Sequence, residues 1–138
     1  MRPSRALVDL AALRHNYLLA RRTHGGQALA VLKANAYGHG AVTCALALAD
    51  SADGFAVAFL DEALALREAG VTLPILLLEG CFTPSKLEFA RLNRCWIVVH
   101  HEEQLRMLEQ ATPGKNVLHI WLKLDSGMHR AGFPVHQA

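Results

Sequence analysis

Short apolar runs in this chain begin at Ala28, Gly54, Pro74, Cys95 and His119, so one recurs every 20 to 26 residues. That interval holds a strand, a turn and one helix before the next strand, the repeat of successive βα units. Crossovers of this kind are right-handed and leave consecutive strands parallel. The spacing predicts strands over Ala28–Leu32, Gly54–Phe59, Pro74–Leu78, Cys95–Val99 and His119–Leu124. Helix signals fill the intervals. Asp9 can cap a helix running towards Arg22, which "HGG" stops. Asp61 opens "DEALALREAG", with acidic residues in the first turn and Gly70 placed to end it. Thr83 is a cap followed by Pro84 at the first helical position. "EEQLRMLEQATPG" closes in a Pro113-Gly114 turn.

Two architectures share this rhythm: an open doubly wound sheet, and part of a (β/α)8 barrel. A complete barrel takes about 250 residues and eight units; this chain has 138 residues and five strand candidates. An open nucleotide-binding sheet is usually marked by GxGxxG after its first strand, and "YGHG" lacks that spacing. The fifth run separates the two. In "HIWLKLD", alternation puts Ile120, Leu122 and Leu124 on one face and His119, Trp121, Lys123 and Asp125 on the other. A polar second face suits the mouth of a barrel, where functional groups gather at strand C-termini. It is also what an exposed edge strand would carry. The expected fold class is α/β: a partial (β/α)8 barrel with about five βα units.

Composition narrows the function. With 52% hydrophobic residues the chain can bury a core of one domain. Fourteen basic and 12 acidic residues give a net charge of +2 without a basic run, so charge does not suggest nucleic acid. Cys44, Cys81 and Cys95 are isolated and odd in number, which fits buried thiols in a reducing compartment. The basic opening "MRPSR" leads into a run broken by Asp9, Arg14 and His15 with no small-residue cleavage site. No stretch approaches the roughly 18 apolar residues that cross a bilayer. A soluble, cytoplasmic protein is expected. "HHEEQ", His100 to Gln104, lacks the HExxH spacing and reads as a helix start, not a metal site. Trp96 and Trp121 read as packing residues, His39 as part of a turn, and Met128 has no assigned chemistry.

One stretch carries more than fold. "LAVLKANAYGHG", Leu29 to Gly40, delivers Lys33 to the exit of an apolar strand and follows it with Asn35, Tyr37 and His39. A lysine there can simply mark where a strand meets solvent. Some ninety residues later comes "LKLDSGMHRAGF".

The pair "AVLKANAYGHG" and "LKLDSGMHRAGF" resembles the alanine racemases, pyridoxal-phosphate enzymes built on a (β/α)8 barrel followed by a β-rich domain. "ALVDLAALRHNY" and "GFAVAFLDEALALREAG" are similar to that family too, so the resemblance spans essentially the whole chain. It implies that Lys33 forms the internal aldimine with the cofactor and that Tyr37 hydrogen-bonds the cofactor phosphate. It implies that Arg130 contacts the cofactor's phenolic oxygen and the substrate carboxylate. Lys123 would be the lysine that carries CO₂ as a carbamate in many members and orients that arginine. The chemistry is consistent with these roles. A Schiff-base lysine must lose a proton to act as a nucleophile, and desolvation favours the neutral amine. A guanidinium offers a carboxylate a planar fork that lysine cannot match.

The resemblance further implies a homodimer acting on alanine. A tyrosine of the later β-rich domain would serve as second base, supplied across the dimer interface. On this reading residues 1–138 are the N-terminal part of the cofactor-binding barrel domain, the rest of the barrel and the β-rich domain are absent, and the piece alone is inactive. Two alternatives remain. One is another enzyme of the same barrel type, such as a serine or broad-specificity racemase or a decarboxylase. The other is a non-catalytic cofactor-binding homeostasis protein, whose relatives lack the combination of "KANAYGHG" and "GMHR".

Overall fold

Five parallel strands lie in the order β1-β2-β3-β4-β5, each adjacent to its neighbour in sequence. The computed structural model describes residues 5–112 and 114–135. The strands are β1 Leu29–Val31, β2 Gly54–Val57, β3 Ile75–Leu77, β4 Cys95–Val99 and β5 Ile120–Leu122. The first four helices are α1 Leu10–His24, the single turn α2 Lys33–Tyr37, α3 Ala41–Leu48 and α4 Leu60–Glu68; α5 Pro84–Leu92 and α6 Glu102–Glu109 follow. Sequential order, parallel pairing and one crossover helix per interval make this the first five units of a (β/α)8 barrel.

The sheet has two unlike faces. Leu32, Phe55, Val57, Ile75, Leu77, Ile97 and Val99 are buried in the larger cluster, together with Leu48, Leu66 and Leu87 from the helices. Ala56, Leu76 and Val98 form the smaller inner cluster, joined by Leu29, Leu78 and Trp96. Register aligns the two columns across the sheet: Phe55 with Ile75, Ile75 with Cys95, and Ala56 with Leu76, Leu76 with Trp96. Each large apolar side chain taken out of water on the outer column contributes about 1.5–3 kcal/mol. Helix burial, then, is where this half of the molecule gains most of its stability.

Local signals hold with small corrections. Asp9 Oδ1 accepts from the N–H groups of Ala11 and Ala12, and Gly25 in the left-handed region (φ 79) ends α1. Thr83 accepts from the Lys86 N–H, with Pro84 in the first turn. Helix α4 starts at Leu60, capped at Phe59, one residue before the expected Asp61. The helix α3 was not expected, because its run AVTCALAL has apolar residues all round and no periodic stripe. The Pro-Gly turn expected after α6 includes Pro113, which lies outside the described residues, as does Arg2 of the basic opening.

The fifth strand differs most from expectation. Instead of one run to Leu124, β5 ends at Leu122, and Leu124–Asp125 (β6) pairs in parallel with Phe133–Pro134 (β7). Lys123 is the junction: its N–H donates to the Val99 carbonyl (2.9 Å) and its carbonyl accepts from the Phe133 N–H (2.9 Å). The chain returns so tightly that a Cβ at Gly132 would lie 2.7 Å from the Asp125 nitrogen. The alternation survives up to the break. Ile120 pairs with Ile97 and Trp121 with Val98, and the Trp121 ring stacks on Trp96 with centroids 6.0 Å apart.

Candidate functional site

Lys33 leaves the C-terminal end of β1, half-buried, and the backbone behind it turns the wrong way for L-residues. Ala34, Asn35, Ala36 and Tyr37 all have φ between 51° and 55°. Each non-glycine residue in that region costs about 1–2 kcal/mol. Four in succession persist only where the surroundings hold them. The turn is bonded at both ends. Ala36 N–H donates to the Leu32 carbonyl (2.8 Å) and Gly40 N–H to that of Asn35 (2.9 Å). The Asn35 side chain accepts from the Ala41 N–H (2.8 Å), and His39 Nδ1 lies 2.8 Å from the Ala36 carbonyl oxygen. Ala36 is buried while the Tyr37 ring is 62% exposed, so the turn anchors on its small residue and presents its phenol.

A carboxylate that the sequence reading did not single out ties this turn to the next unit. Glu62 Oε1 accepts from the Ala34 N–H at 2.7 Å, directly after Lys33. Its Oε2 accepts from Ala58 N–H (2.7 Å) and Phe59 N–H (3.1 Å), at the exit of β2. Gln104 repeats the device between β3 and β4. It accepts from His100 N–H (2.9 Å), donates to the Glu79 carbonyl (2.9 Å), and is only 4% exposed. Both are the third residue of a helix, where Glu or Gln reaches back over its own N-terminus. The phrases "FLDE" and "HEEQ" carry that signal, and it could have been read. Gly80 belongs to the same joint: a Cβ there would lie 2.2 Å from the Val98 carbonyl oxygen.

The second motif is folded by Asp125. Its Oδ1 accepts from Gly127 N–H (3.1 Å) and His129 N–H (2.9 Å), and its Oδ2 lies 3.0 Å from His129 Nδ1. The backbone bonds from His129 and Gly127 hold the Asp125 carboxyl below the usual carboxylate range. This loop leads to Arg130, which is exposed, while Lys123 at its base is half-buried.

The predicted residues therefore occupy one end of the sheet in two groups. Lys33 and Tyr37 follow β1; Lys123 and Arg130 follow β5. Because the strands are parallel and each group follows the end of its strand, both groups lie at the C-terminal end of the sheet. The sheet order puts them on its two outer strands, and among the described residues no hydrogen bond joins the groups. Other residues behave as read: His101 accepts from Glu103 N–H at the start of α6, and His119 and Trp121 flank Trp96. The three cysteines are buried. Burial pushes the thiols of Cys44 and Cys95 up, and that of Cys81 to about 11.

Comparison with known proteins adds the context. The family described as "Alanine racemase, N-terminal domain" matches residues 8–138. An alanine racemase of Aromatoleum aromaticum is 64% identical over 137 residues, covering 99% of this chain and 38% of the relative. Among solved structures, the biosynthetic alanine racemase of Pseudomonas aeruginosa superposes with a TM-score of 0.87 at 50% identity, over 94% of this chain and 36% of its own. A histidine racemase of Leuconostoc mesenteroides superposes with a TM-score of 0.81 at 31% identity, over 93% and 35% respectively. The chain spans little more than a third of each.

Proposed function

The chain belongs to the alanine racemase N-terminal domain family, and on that premise we propose that it is the cofactor-carrying part of a pyridoxal-phosphate-dependent enzyme interconverting L- and D-alanine. The observation that carries the reading is the turn after β1. An amine is delivered at the barrel mouth on a backbone too strained to persist without support, and a phenol is presented four residues on. The residues fit the cofactor by their chemistry. Lys33 offers an amine to its aldehyde, and Tyr37 a hydroxyl donor to its phosphate. Ala56, paired with Val31 at the exit of β1, keeps the inner face of the neighbouring strand β2 small there.

When bound, the cofactor supplies the electron sink that makes the substrate α-proton removable. Lys33 would hold the cofactor through its amine, and the same amine would serve to move the α-proton on its own face of the substrate. Arg130 grips the carboxylate with two parallel N–H donors, which fixes the α-carbon against Lys33. A carbamate on Lys123 would turn a cation beside that guanidinium into an anionic partner. Inversion needs a second acid/base group on the opposite face. The family reading assigns it to a tyrosine of the β-rich domain, brought by the other subunit of a homodimer in the cytoplasm. Residues 1–138 would then be the first part of the barrel domain.

Histidine racemase shares this half-barrel, so the fold of these residues is compatible with other side chains on the substrate. The deciding experiment uses the full-length protein. Borohydride reduction and peptide mapping should place the pyridoxyl label on Lys33, and Lys33→Ala should abolish both label and turnover. L-alanine should be racemised at least tenfold more efficiently than L-histidine. A label on a different lysine sinks the assignment of Lys33; the reverse substrate preference sinks alanine alone.

A further inference from the structure

We propose that Glu62 is a positioning residue for Lys33, holding the strained turn Ala34–Tyr37 against the exit of β2. Capping α4 requires only the bonds from Ala58 and Phe59, and both go to Oε2. Oε1 is aimed elsewhere, at Ala34 of the preceding βα unit, 28 residues away in sequence and next to Lys33. The turn has every reason to relax: four successive residues sit in a region that L side chains avoid. Its remaining bonds are made within residues 32–41, and Leu32, before the turn, is itself tied to β2 by its N–H, which donates to the Ala56 carbonyl (2.8 Å). The bond from Ala34 to Glu62 is different in kind, because it ties the reversed segment itself to the neighbouring βα unit. Oxygen Oε2 is fixed by two donors, so Oε1 has little freedom, and a carboxylate at the start of α4 is favoured by the helix dipole. The direction of the Lys33 stem is thereby set by a side chain of the next βα unit.

The test separates this role from capping. Glutamine serves as well as glutamate at the third position of a capping box. Glu62→Gln can therefore keep an oxygen on Ala58 and Phe59, but then it turns its amide N–H₂ towards the Ala34 N–H. In full-length apo-protein, amide hydrogen exchange of residues 33–40 should quicken at least tenfold, while residues 63–68 stay within twofold of the parent. Titration with pyridoxal phosphate should give a dissociation constant raised at least fivefold. Glu62→Asp is the second variant: it keeps the charge but is one methylene too short to reach both loops, and it should quicken the same exchange. A merely structural Glu62 would instead loosen α4 together with the turn and leave cofactor affinity unchanged. Exchange of residues 33–40 within twofold of the parent in both variants overturns the proposal. The cofactor measurement rests on Lys33 being the attachment point. The exchange measurement does not, so a failure of that reading is distinguishable from a failure of this one.

Discussion

At the residue scale, two groups give distinct expectations. Lys123 sits half-buried where the fifth strand breaks, with its backbone tied to both Val99 and Phe133. Its side chain is therefore delivered by a rigid stem, and removing it should leave the fold intact. If it acts as a carbamate beside Arg130, Lys123→Ala in the full-length enzyme should lower kcat/KM by about 100-fold, of the order set by loss of a charge-assisted contact. Small carboxylates should restore part of it, and absence of rescue across formate, acetate and propionate would count against the carbamate. Cys81 is the pH-sensitive residue. Burial raises its thiol from about 9 to about 11 in the folded protein. Below pH 9 both states keep the proton and nothing changes. Between 9 and 11 the unfolded thiol ionises first, so stability falls as pH rises through that window. Urea melts at pH 8 and pH 10.5 should show a smaller alkaline loss in Cys81→Ala than in the parent. Equal losses would mean the thiol is not the group responsible.

Single side chains that bridge neighbouring units are the recurring device at the element scale. Glu62 and Gln104 do this at the barrel mouth; Arg67 does it at the opposite end. Its guanidinium donates to the carbonyls of Val71 (2.8 Å), Leu73 (2.7 Å), Asn93 (3.1 Å) and Arg94 (3.2 Å), which belong to the loops before β3 and β4. Desolvation lowers its pKa, the cost of placing the charge there. Replacing Arg67 with Leu strips four carbonyls of a charged donor, although solvent can reach part of the site. Stability should drop by about 2–3 kcal/mol, read from denaturant midpoints, with borohydride labelling of Lys33 undisturbed. A smaller relay docks α1. Tyr17 OH donates to the Ala28 carbonyl (2.7 Å), and Asp53 accepts from Arg21 (2.7 Å) and from Ala28 N–H (2.8 Å). The long-range bonds among these span 11 to 32 residues, although Arg67 also reaches Val71 and Leu73 on its own loop. Helix boundaries could be read from caps and glycines because those are local; the bridges could not, since a lone Glu, Gln or Arg is ambiguous until its partner strand is known.

For the whole molecule, the controlling fact is how exposed the two outer strands are among the described residues. Val31 and Trp121, on the inner face of the two outer strands, are 41% and 49% exposed, and Ile120 and Leu122, on the helix side of β5, are 49% and 58% exposed. Among the described residues each of these strands pairs on one side only, leaving a backbone edge open. Expressed by themselves, residues 1–138 should therefore associate, since exposed apolar surface beside open edges drives aggregation. They should also racemise alanine about 100-fold or more slowly than the full-length protein, lacking an acid/base group on the second face. Sedimentation and a coupled D-alanine assay test this together, and a soluble monomer with near-parental turnover would refute both.

The chain order of strands, their parallel sense and the column of residues facing the helices follow from the sequence itself, because the 20–26-residue rhythm and the apolar alternation act over short distances. Lys33, Tyr37, Lys123 and Arg130 were singled out by resemblance, each lying in one of two motifs similar to those of the alanine racemases. What only the tertiary structure decided is how those motifs are held. The reversed hand of Ala34–Tyr37 contradicts local propensity, so it exists only because contacts outside the segment outweigh it. The break at Lys123 likewise arises where the Val99 carbonyl takes that residue's N–H and the Phe133 N–H takes its carbonyl. Long-range hydrogen bonds chose both, and no local pattern records which distant group will arrive.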